Sequence, residues 1–162
     1  INFKLLFCSI FVGYAFYFLG ISIITIIPIP GVQEKIEIYL KLQESDEKTI
    51  NVFNYLYLAR IIIFYILLLN FKKLVTYNKY LPILLNIYSI SIVSYTVFAS
   101  VPAFASRISE FFGVVEIILF PLLMYLFKPV ILGRFVVAMI ALIFLLINLY
   151  YVKLIFDIWF VE

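Results

Sequence analysis

Long runs of apolar residues, separated by short polar segments, recur along the whole chain. An α-helix needs about 20 mainly apolar residues to cross the hydrocarbon core of a bilayer, and the runs are close to that length. The pattern therefore predicts an all-α integral membrane protein with about five transmembrane helices in a single transmembrane domain. The predicted spans cover residues 5–27, 52–71, 82–103, 111–127 and 134–156.

A more polar stretch, residues 32–44 (VQEKIEIYLKLQE), lies between the first two spans. Val32, Ile36, Tyr39 and Leu40 share one face of a helix there, and most of the charged residues lie elsewhere. A helix with this pattern lies in the membrane interface, with its apolar face toward the lipid. We therefore predict one interfacial amphipathic helix, and we expect Tyr39 to contact lipid headgroups.

The composition excludes several kinds of site. The chain has 162 residues, of which 67% are hydrophobic and 13% charged, with no His and one Cys. Imidazole and thiolate metal sites, Ser-His catalysis and a disulfide framework are therefore excluded within this chain, and we predict no metal and no cofactor. The net charge of +3 is spread over loops, which indicates membrane topology rather than a nucleic-acid surface.

The basic residues of the short loops predict the orientation. One side of the membrane receives six Lys and Arg residues, with no acid among them: Lys4, Lys72, Lys73, Lys79, Lys128 and Arg134. The other side receives residues 28–51, in which five acids outnumber three lysines, and the loop around Arg107. By the positive-inside rule the first side is cytoplasmic. Arg60 and Arg107 then lie toward the outer face.

The segment ASRISEFFGVVEIILFP, residues 105–121, brings three charged residues into an apolar region. Arg107 and Glu110 are three residues apart, so on a helix they could form an ion pair. Alternatively, the planar guanidinium of Arg107 is suited to holding a phosphate or pyrophosphate with two parallel hydrogen bonds. Glu116 falls near the opposite side of the helix from Arg107, so at least one of the two should point into the protein.

Ionisable groups inside a membrane are candidates for function. For Glu116 the alternative is a structural role, either as a neutral acid or bonded to a Tyr or Ser of a neighbouring helix. Arg60 lies about 12 Å into the second span by helix rise, so its side chain must reach the interface or find a partner. Pairing of Arg60 with Glu116 or Glu110 and a role in substrate binding both remain open.

The region from Tyr80 onward carries a recognisable order of residues. A hydrophobic helix ends in a segment of small residues with a proline, and an arginine, an aromatic pair, a glutamate and a second proline follow. These are Pro102, Arg107, Phe111 with Phe112, Glu116 and Pro121. This order resembles the C-terminal half of the EpsG-like, Wzy-type polysaccharide polymerases of bacteria. The sequence KIEIYLK also resembles that family's extracytoplasmic loop, with Tyr39 as its central tyrosine.

The resemblance implies an enzyme of the bacterial cytoplasmic membrane that joins polyprenyl-pyrophosphate-linked oligosaccharides into an exopolysaccharide, O-antigen or capsule chain. It implies that Arg107 holds the pyrophosphate, with Arg60 and Tyr39 as further substrate contacts. Glu110 or Glu116 would take the proton from the acceptor hydroxyl. A flippase and a chain-length regulator of the same pathway would be partners. Because the family has ten or more helices, and the chain opens without Met, we expect a C-terminal fragment of a larger multi-span protein.

Two other functions fit the same composition. A transporter or flippase fragment that moves a solute or lipid-linked sugar without chemistry would also use proline-interrupted helices and intramembrane charges. A purely structural membrane subunit is the second alternative. The order of residues from Arg107 to Pro121 favours the polymerase.

Overall fold

The structure is a computed structural model, and it describes residues 2–20 and 51–151. The described residues form helices joined by turns and contain no β-strand, so the all-α prediction is confirmed for this part of the chain. The interfacial helix predicted at residues 32–44, with Tyr39, lies outside the described residues. The helices are α1 (Phe3–Phe18), α2 (Tyr55–Leu69), α3 (Phe71–Leu74), α4 (Leu81–Val97), α5 (Pro102–Gly113), α6 (Glu116–Leu122) and α7 (Val130–Tyr151), with a 3-10 turn at Leu123–Leu126.

Among the described helices, α7 alone is both long and apolar enough to cross a membrane by itself, through its window Val130–Ile147. Helix α5, together with α6 and the 3-10 turn, is also long and apolar enough to cross a membrane, as one interrupted span. Helices α1, α2 and α4 are apolar but have 16, 15 and 17 residues. These lengths correspond to about 22 to 26 Å, slightly less than a bilayer core. The apolar helices are consistent with a membrane protein, and the number of spans stays a prediction.

Local sequence explains where the helices begin and end. The side chain of Asn54 accepts a hydrogen bond from the backbone N–H of Leu56 at 2.7 Å, which caps the start of α2. Helix α1 ends just before Gly20, whose φ of +63° is the left-handed conformation that favours glycine after a helix. Pro102 occupies the first position of α5, where its missing N–H costs nothing.

The region around Pro102 differs from the sequence prediction, which placed it near the end of one span and began the next at residue 111. Helix α5 instead begins at Pro102, so Arg107 and Glu110 are helical and not in a connecting loop. The interruption in this region lies at residues 114–115, between α5 and α6. Pro121 lies inside α6, one residue before the end of the helix, where the 3-10 turn begins.

The chain forms two compact units, residues 1–116 and 117–162. In the first unit α4 packs against α1, α2 and α5. Helices α2 and α4 are antiparallel, because the Tyr57 hydroxyl donates to the Ile92 carbonyl at 2.6 Å and the Tyr88 hydroxyl donates to the Arg60 carbonyl at 3.3 Å. Helix α1 also runs antiparallel to α2, since aromatic contacts pair the start of each with the end of the other. These contacts are Phe3 with Phe71, Phe7 with Tyr65 and Tyr14 with Tyr57.

Small residues allow close packing on α4. The face of α5 that carries Ala105, Ser109 and Gly113 is buried. On α1, a methyl group added at Gly13 would lie 2.5 Å from the Thr96 Oγ1, so a larger residue there would force a shift. Interfaces of small residues are typical of helix pairs in membranes, where van der Waals contact replaces the hydrophobic effect.

The second unit contains most of α6, the 3-10 turn and α7. Gly133 of α7 lies against the backbone of Met124, which leaves no room for a larger side chain. The rings of Phe120 and Phe144 meet edge to face with centroids 5.7 Å apart.

Candidate functional site

The first unit holds an ion pair between two of the residues singled out in the sequence. Arg60 of α2 and Glu116, the first residue of α6, meet across the helix packing, with Nε of the arginine 2.8 Å from Oε1 of the glutamate. The Nη2 atom also donates a hydrogen bond to Oε2 at 3.2 Å. Their side chains are 25% and 13% exposed. Of the alternatives that the sequence left open for Arg60, the structure therefore has the pairing with Glu116.

Polar groups of α4 and α5 surround this pair. The Tyr88 hydroxyl donates to the backbone carbonyl of Arg60, and the Ser91 hydroxyl donates to the carbonyl of Ser109 at 2.6 Å. A methyl group added at Gly113 would lie 3.3 Å from Ser91 Oγ and 3.5 Å from Arg60 Nη2. We call these six residues the ion-pair cluster: Arg60, Tyr88, Ser91, Ser109, Gly113 and Glu116.

Within the cluster, Glu116 Oε1 is buried, and the atom it faces is Nε of the charged Arg60 guanidinium, at 2.8 Å. Electrostatic attraction to the Arg60 guanidinium therefore stabilises this oxygen in its buried position. In surroundings of low dielectric, such attraction is stronger than at an aqueous surface. The cluster joins α2, α4 and the end of α5, which makes it suited to fixing the packing of these helices.

Arg107 and Glu110 lie on the other side of α5. Both side chains are exposed, and in the described ranges no ion pair joins them. Their separation of three residues permits a pair, but the charged groups do not come within 4.0 Å. The exposed ring of Phe111 lies on the same side, one helical turn from Arg107. We call this surface, formed by Arg107, Glu110 and Phe111, the charged face of α5.

The structure thus separates the predicted site residues into two groups. Arg60 and Glu116 come together inside the helix packing, and Arg107 and Glu110 are left on an exposed surface. The sequence argument expected at least one of Arg107 and Glu116 to point into the protein, and Glu116 does so, although the two residues lie in different helices. Tyr39 lies outside the described residues.

Sequence reasoning missed the polar residues of α4, which contribute Tyr88 and Ser91 to the cluster. Besides Tyr88, four serine and threonine residues of this helix are buried: Ser89, Ser91, Ser94 and Thr96. Hydroxyl residues recurring every two or three positions in an apolar span (SISIVSYT) are the signal that could have identified α4 as a central helix, since such groups avoid lipid and bond to neighbouring helices.

A surface that exposes an arginine and a carboxylate side by side can bind an anion and accept a proton at neighbouring points. The described residues contain no group of three His, Cys, Asp or Glu side chains that could hold a metal ion. The charged side chains of this surface are those of Arg107 and Glu110.

Comparison with known families decides the identity of the chain. Residues 1–159 match the EpsG family. The chain belongs to the EpsG family. The match covers almost the whole sequence, so the resemblance noted around Arg107 and Pro121 is confirmed as a family relationship. Searches of the curated proteins and of the solved structures found no match.

Membership in the EpsG family supports a polymerase of polysaccharide biosynthesis, and with it an enzyme of the glycosyltransferase kind. It also agrees with the apolar helices in indicating a membrane protein.

Proposed function

We propose that this EpsG-family chain is a multi-pass protein of the bacterial cytoplasmic membrane that joins polyprenyl-pyrophosphate-linked oligosaccharides at the outer face. The product would be an exopolysaccharide, O-antigen or capsule chain. The observation that carries the proposal is the charged face of α5, where Arg107 is exposed and forms no ion pair with any described residue.

The position of Arg107 supports binding of a pyrophosphate at the membrane surface. It lies five residues after Pro102, the first residue of α5, or about 7.5 Å along the helix axis. The orientation predicted from the loop lysines places this end of α5 toward the outer face. A guanidinium at that depth can reach the pyrophosphate of a lipid-linked sugar, whose prenyl chain remains in the bilayer. Its planar donors match two phosphate oxygens at once.

The proposed reaction is a substitution at the anomeric carbon of the lipid-linked donor. A hydroxyl group of the acceptor saccharide forms the new glycosidic bond as the bond to the pyrophosphate oxygen breaks. The lipid pyrophosphate leaves with the bonding electron pair, and Arg107 stabilises the negative charge that develops on it. The hydroxyl proton passes to a carboxylate that acts as general base.

Glu110 is a better candidate for that base than Glu116. Glu116 is mostly buried and ion-paired with Arg60, which stabilises its charged form and holds it away from a substrate at the surface. Glu110 is exposed and lies on the same face as Arg107. We therefore assign Arg107 and Glu110 to the substrate, and we assign Arg60 and Glu116 to positioning the helices.

A transporter or flippase remains the second candidate, and one observation favours it. Helices α5 and α6 are long and apolar enough to cross a membrane together, as one span with an interruption. Interrupted helices form the substrate sites of many transporters. In that case Arg107 would bind the same lipid-linked sugar without promoting a reaction.

The polymer-length ladder of cells that express this gene at matched levels tests the proposal. We expect Arg107→Ala to collapse the ladder to single repeats, with chain-joining reduced by about 10² to 10³, the usual cost of removing one donor to a developing charge. Arg107→Lys should restore little, because lysine lacks the planar fork. Glu110→Gln should also lose the polymer. Arg134→Ala, which removes an exposed arginine of α7, is the matched control and should leave the ladder unchanged.

The location of the single repeats separates the two candidates. A polymerase defect leaves lipid-linked repeats at the outer face, where an added periplasmic glycosidase can reach them. A flippase defect leaves them at the inner face. An unchanged ladder in Arg107→Ala, in cells whose ladder disappears when the gene is deleted, would refute the assignment of Arg107.

A further inference from the structure

A groove lies in the first unit at the C-terminal end of α2. The start of α1 and the end of α2 lie side by side there, because the two helices are antiparallel, and α3 follows directly. Between them is an open groove of about 680 Å³. Its lining consists of Phe3, Lys4, Phe7, Cys8, Leu68, Leu69, Asn70, Phe71, Lys72 and Lys73. We call it the α1/α2 groove.

The groove combines an apolar floor with a basic rim. Phe3, Phe7 and Leu69 keep large exposed apolar surfaces next to it. Lys4 comes from the start of α1, and Lys72 and Lys73 come from α3, so the packing brings together basic residues that are almost 70 positions apart. Among the described residues that line the groove there is no Asp or Glu.

We propose that the α1/α2 groove binds an anionic glycerophospholipid of the cytoplasmic leaflet. The lysines at the rim hold the headgroup phosphate, and the apolar floor takes part of an acyl chain. Basic pockets between membrane helices on the cytoplasmic side are suited to such headgroups. The positive-inside rule, applied to the loop lysines and including the three of the groove, predicts that this end of the unit faces the cytoplasm.

The shape of the groove argues for a lipid over a free phosphate ion. A free anion would use only the lysines and would leave the phenylalanine and leucine surfaces uncovered, whereas a lipid covers both parts. The volume lies in the range of pockets that enclose small organic ligands. The site is separate from the charged face of α5, so this proposal stands or falls independently of the proposed reaction.

Native mass spectrometry of the purified protein in detergent tests the preference for charge. The protein is given equimolar phosphatidylglycerol and phosphatidylcholine, and the bound lipid is counted. We expect phosphatidylglycerol to be retained in clear preference. Each of Lys4→Gln, Lys72→Gln and Lys73→Gln should weaken its binding about fivefold, the usual contribution of one lysine at an anionic surface. Lys79→Gln removes a lysine that does not line the groove and should leave binding unchanged.

The single cysteine of the chain locates the bound lipid without any substitution. Cys8 is exposed and lines the groove, so a small thiol reagent should modify it in the lipid-free protein. We expect phosphatidylglycerol to slow this modification several-fold, and phosphatidylcholine and glycerol 3-phosphate at the same concentration to leave it unchanged. The variant Cys8→Ser provides the blank.

Three results would overturn the proposal. Equal retention of the two lipids would mean that the lysines do not recognise the headgroup. Protection of Cys8 by glycerol 3-phosphate alone would identify a phosphate site in place of a lipid site. Selective binding of phosphatidylglycerol with no protection of Cys8 would place the lipid elsewhere on the protein.

Discussion

Two arginines of the first unit have similar surroundings in sequence and different surroundings in space. Arg60 lies in an apolar span, meets Glu116 and has a backbone carbonyl that accepts from Tyr88. Arg107 lies on α5 with its side chain exposed and no carboxylate of the described chain within ion-pair distance. A charge that satisfies the fold has its counter-charge built in, and a charge kept for a ligand does not. This difference supports our proposal that Arg60 serves the structure and Arg107 binds the substrate.

Helix α5 contains both kinds of surface. One face carries Ala105, Ser109 and Gly113, whose small side chains allow α4 to approach closely. The other carries Arg107 and Glu110, whose side chains are exposed. Replacements on the first face should change stability, and replacements on the second should change polymer formation.

The largest expected effect on stability is the loss of one partner of the ion pair. Arg60→Ala leaves Glu116 mostly buried with no counter-charge, which should lower the free energy of unfolding by about 3 kcal/mol. Unfolding of the purified protein in mixed micelles by a denaturing detergent measures the change. Arg134→Ala, at an exposed position of α7, is the control and should have little effect.

A double replacement sharpens this result. Arg60→Leu with Glu116→Leu removes both charges, and it should recover most of the stability that Arg60→Ala loses, because the strain comes from the uncompensated charge. If Arg60→Ala were as stable as the parent protein, the ion pair would not stabilise the helix packing. Substrate binding would then be the better explanation for Arg60.

The sequence allowed only part of this comparison to be predicted. Helical periodicity predicted Arg107 and Glu116 on different sides of one continuous helix, whereas the structure has them in two helices, α5 and α6. The expectation that one of the two points into the protein is met by Glu116, which is mostly buried. The sequence does not choose between Glu110 and Glu116 as the partner of Arg60. The two positions that meet are 56 residues apart, so the choice depends on tertiary packing within the first unit. The apolar pattern predicts a span over residues 82–103, which ends just after Pro102, but proline is also favoured at the first position of a helix, and α5 begins there.

The lysines give a similar lesson. Their distribution over the loops predicted that Lys4, Lys72 and Lys73 share one side of the membrane. It gave no indication of the α1/α2 groove, because the groove depends on the antiparallel contact between α1 and α2. The distribution of lysines in a sequence therefore predicts the side of the membrane on which they lie. Which of them lie close together depends on the packing of the helices.

A smaller effect is expected inside the ion-pair cluster from the hydrogen bond between α4 and α5. Ser91→Ala removes the hydroxyl that donates to the Ser109 carbonyl at 2.6 Å. Hydrogen bonds between helices in membranes contribute about 0.6 kcal/mol on average, so the free energy of unfolding should fall by about that amount. The same unfolding measurement detects it if several independent preparations are compared.

Ser94→Ala is the matched control for this prediction. Its hydroxyl is equally buried on α4 but donates to the Ser91 carbonyl of its own helix at 2.9 Å. Its loss should therefore leave the contact between α4 and α5 intact. An equal loss of stability in both variants would show that burial of the hydroxyl matters and that the link to α5 does not.

The smallest expected effect on stability belongs to Arg107, and it completes the comparison of the two arginines. Arg107→Ala removes an exposed side chain with no ion-pair partner in the described residues, so the free energy of unfolding should change by less than about 0.5 kcal/mol. The same variant should lose the polymer ladder. A stable protein without polymer is the result that only a role at the substrate predicts. If Arg107→Ala instead lost as much stability as Arg60→Ala, a collapsed ladder would reflect a damaged fold, and the distinction between the two arginines would be wrong.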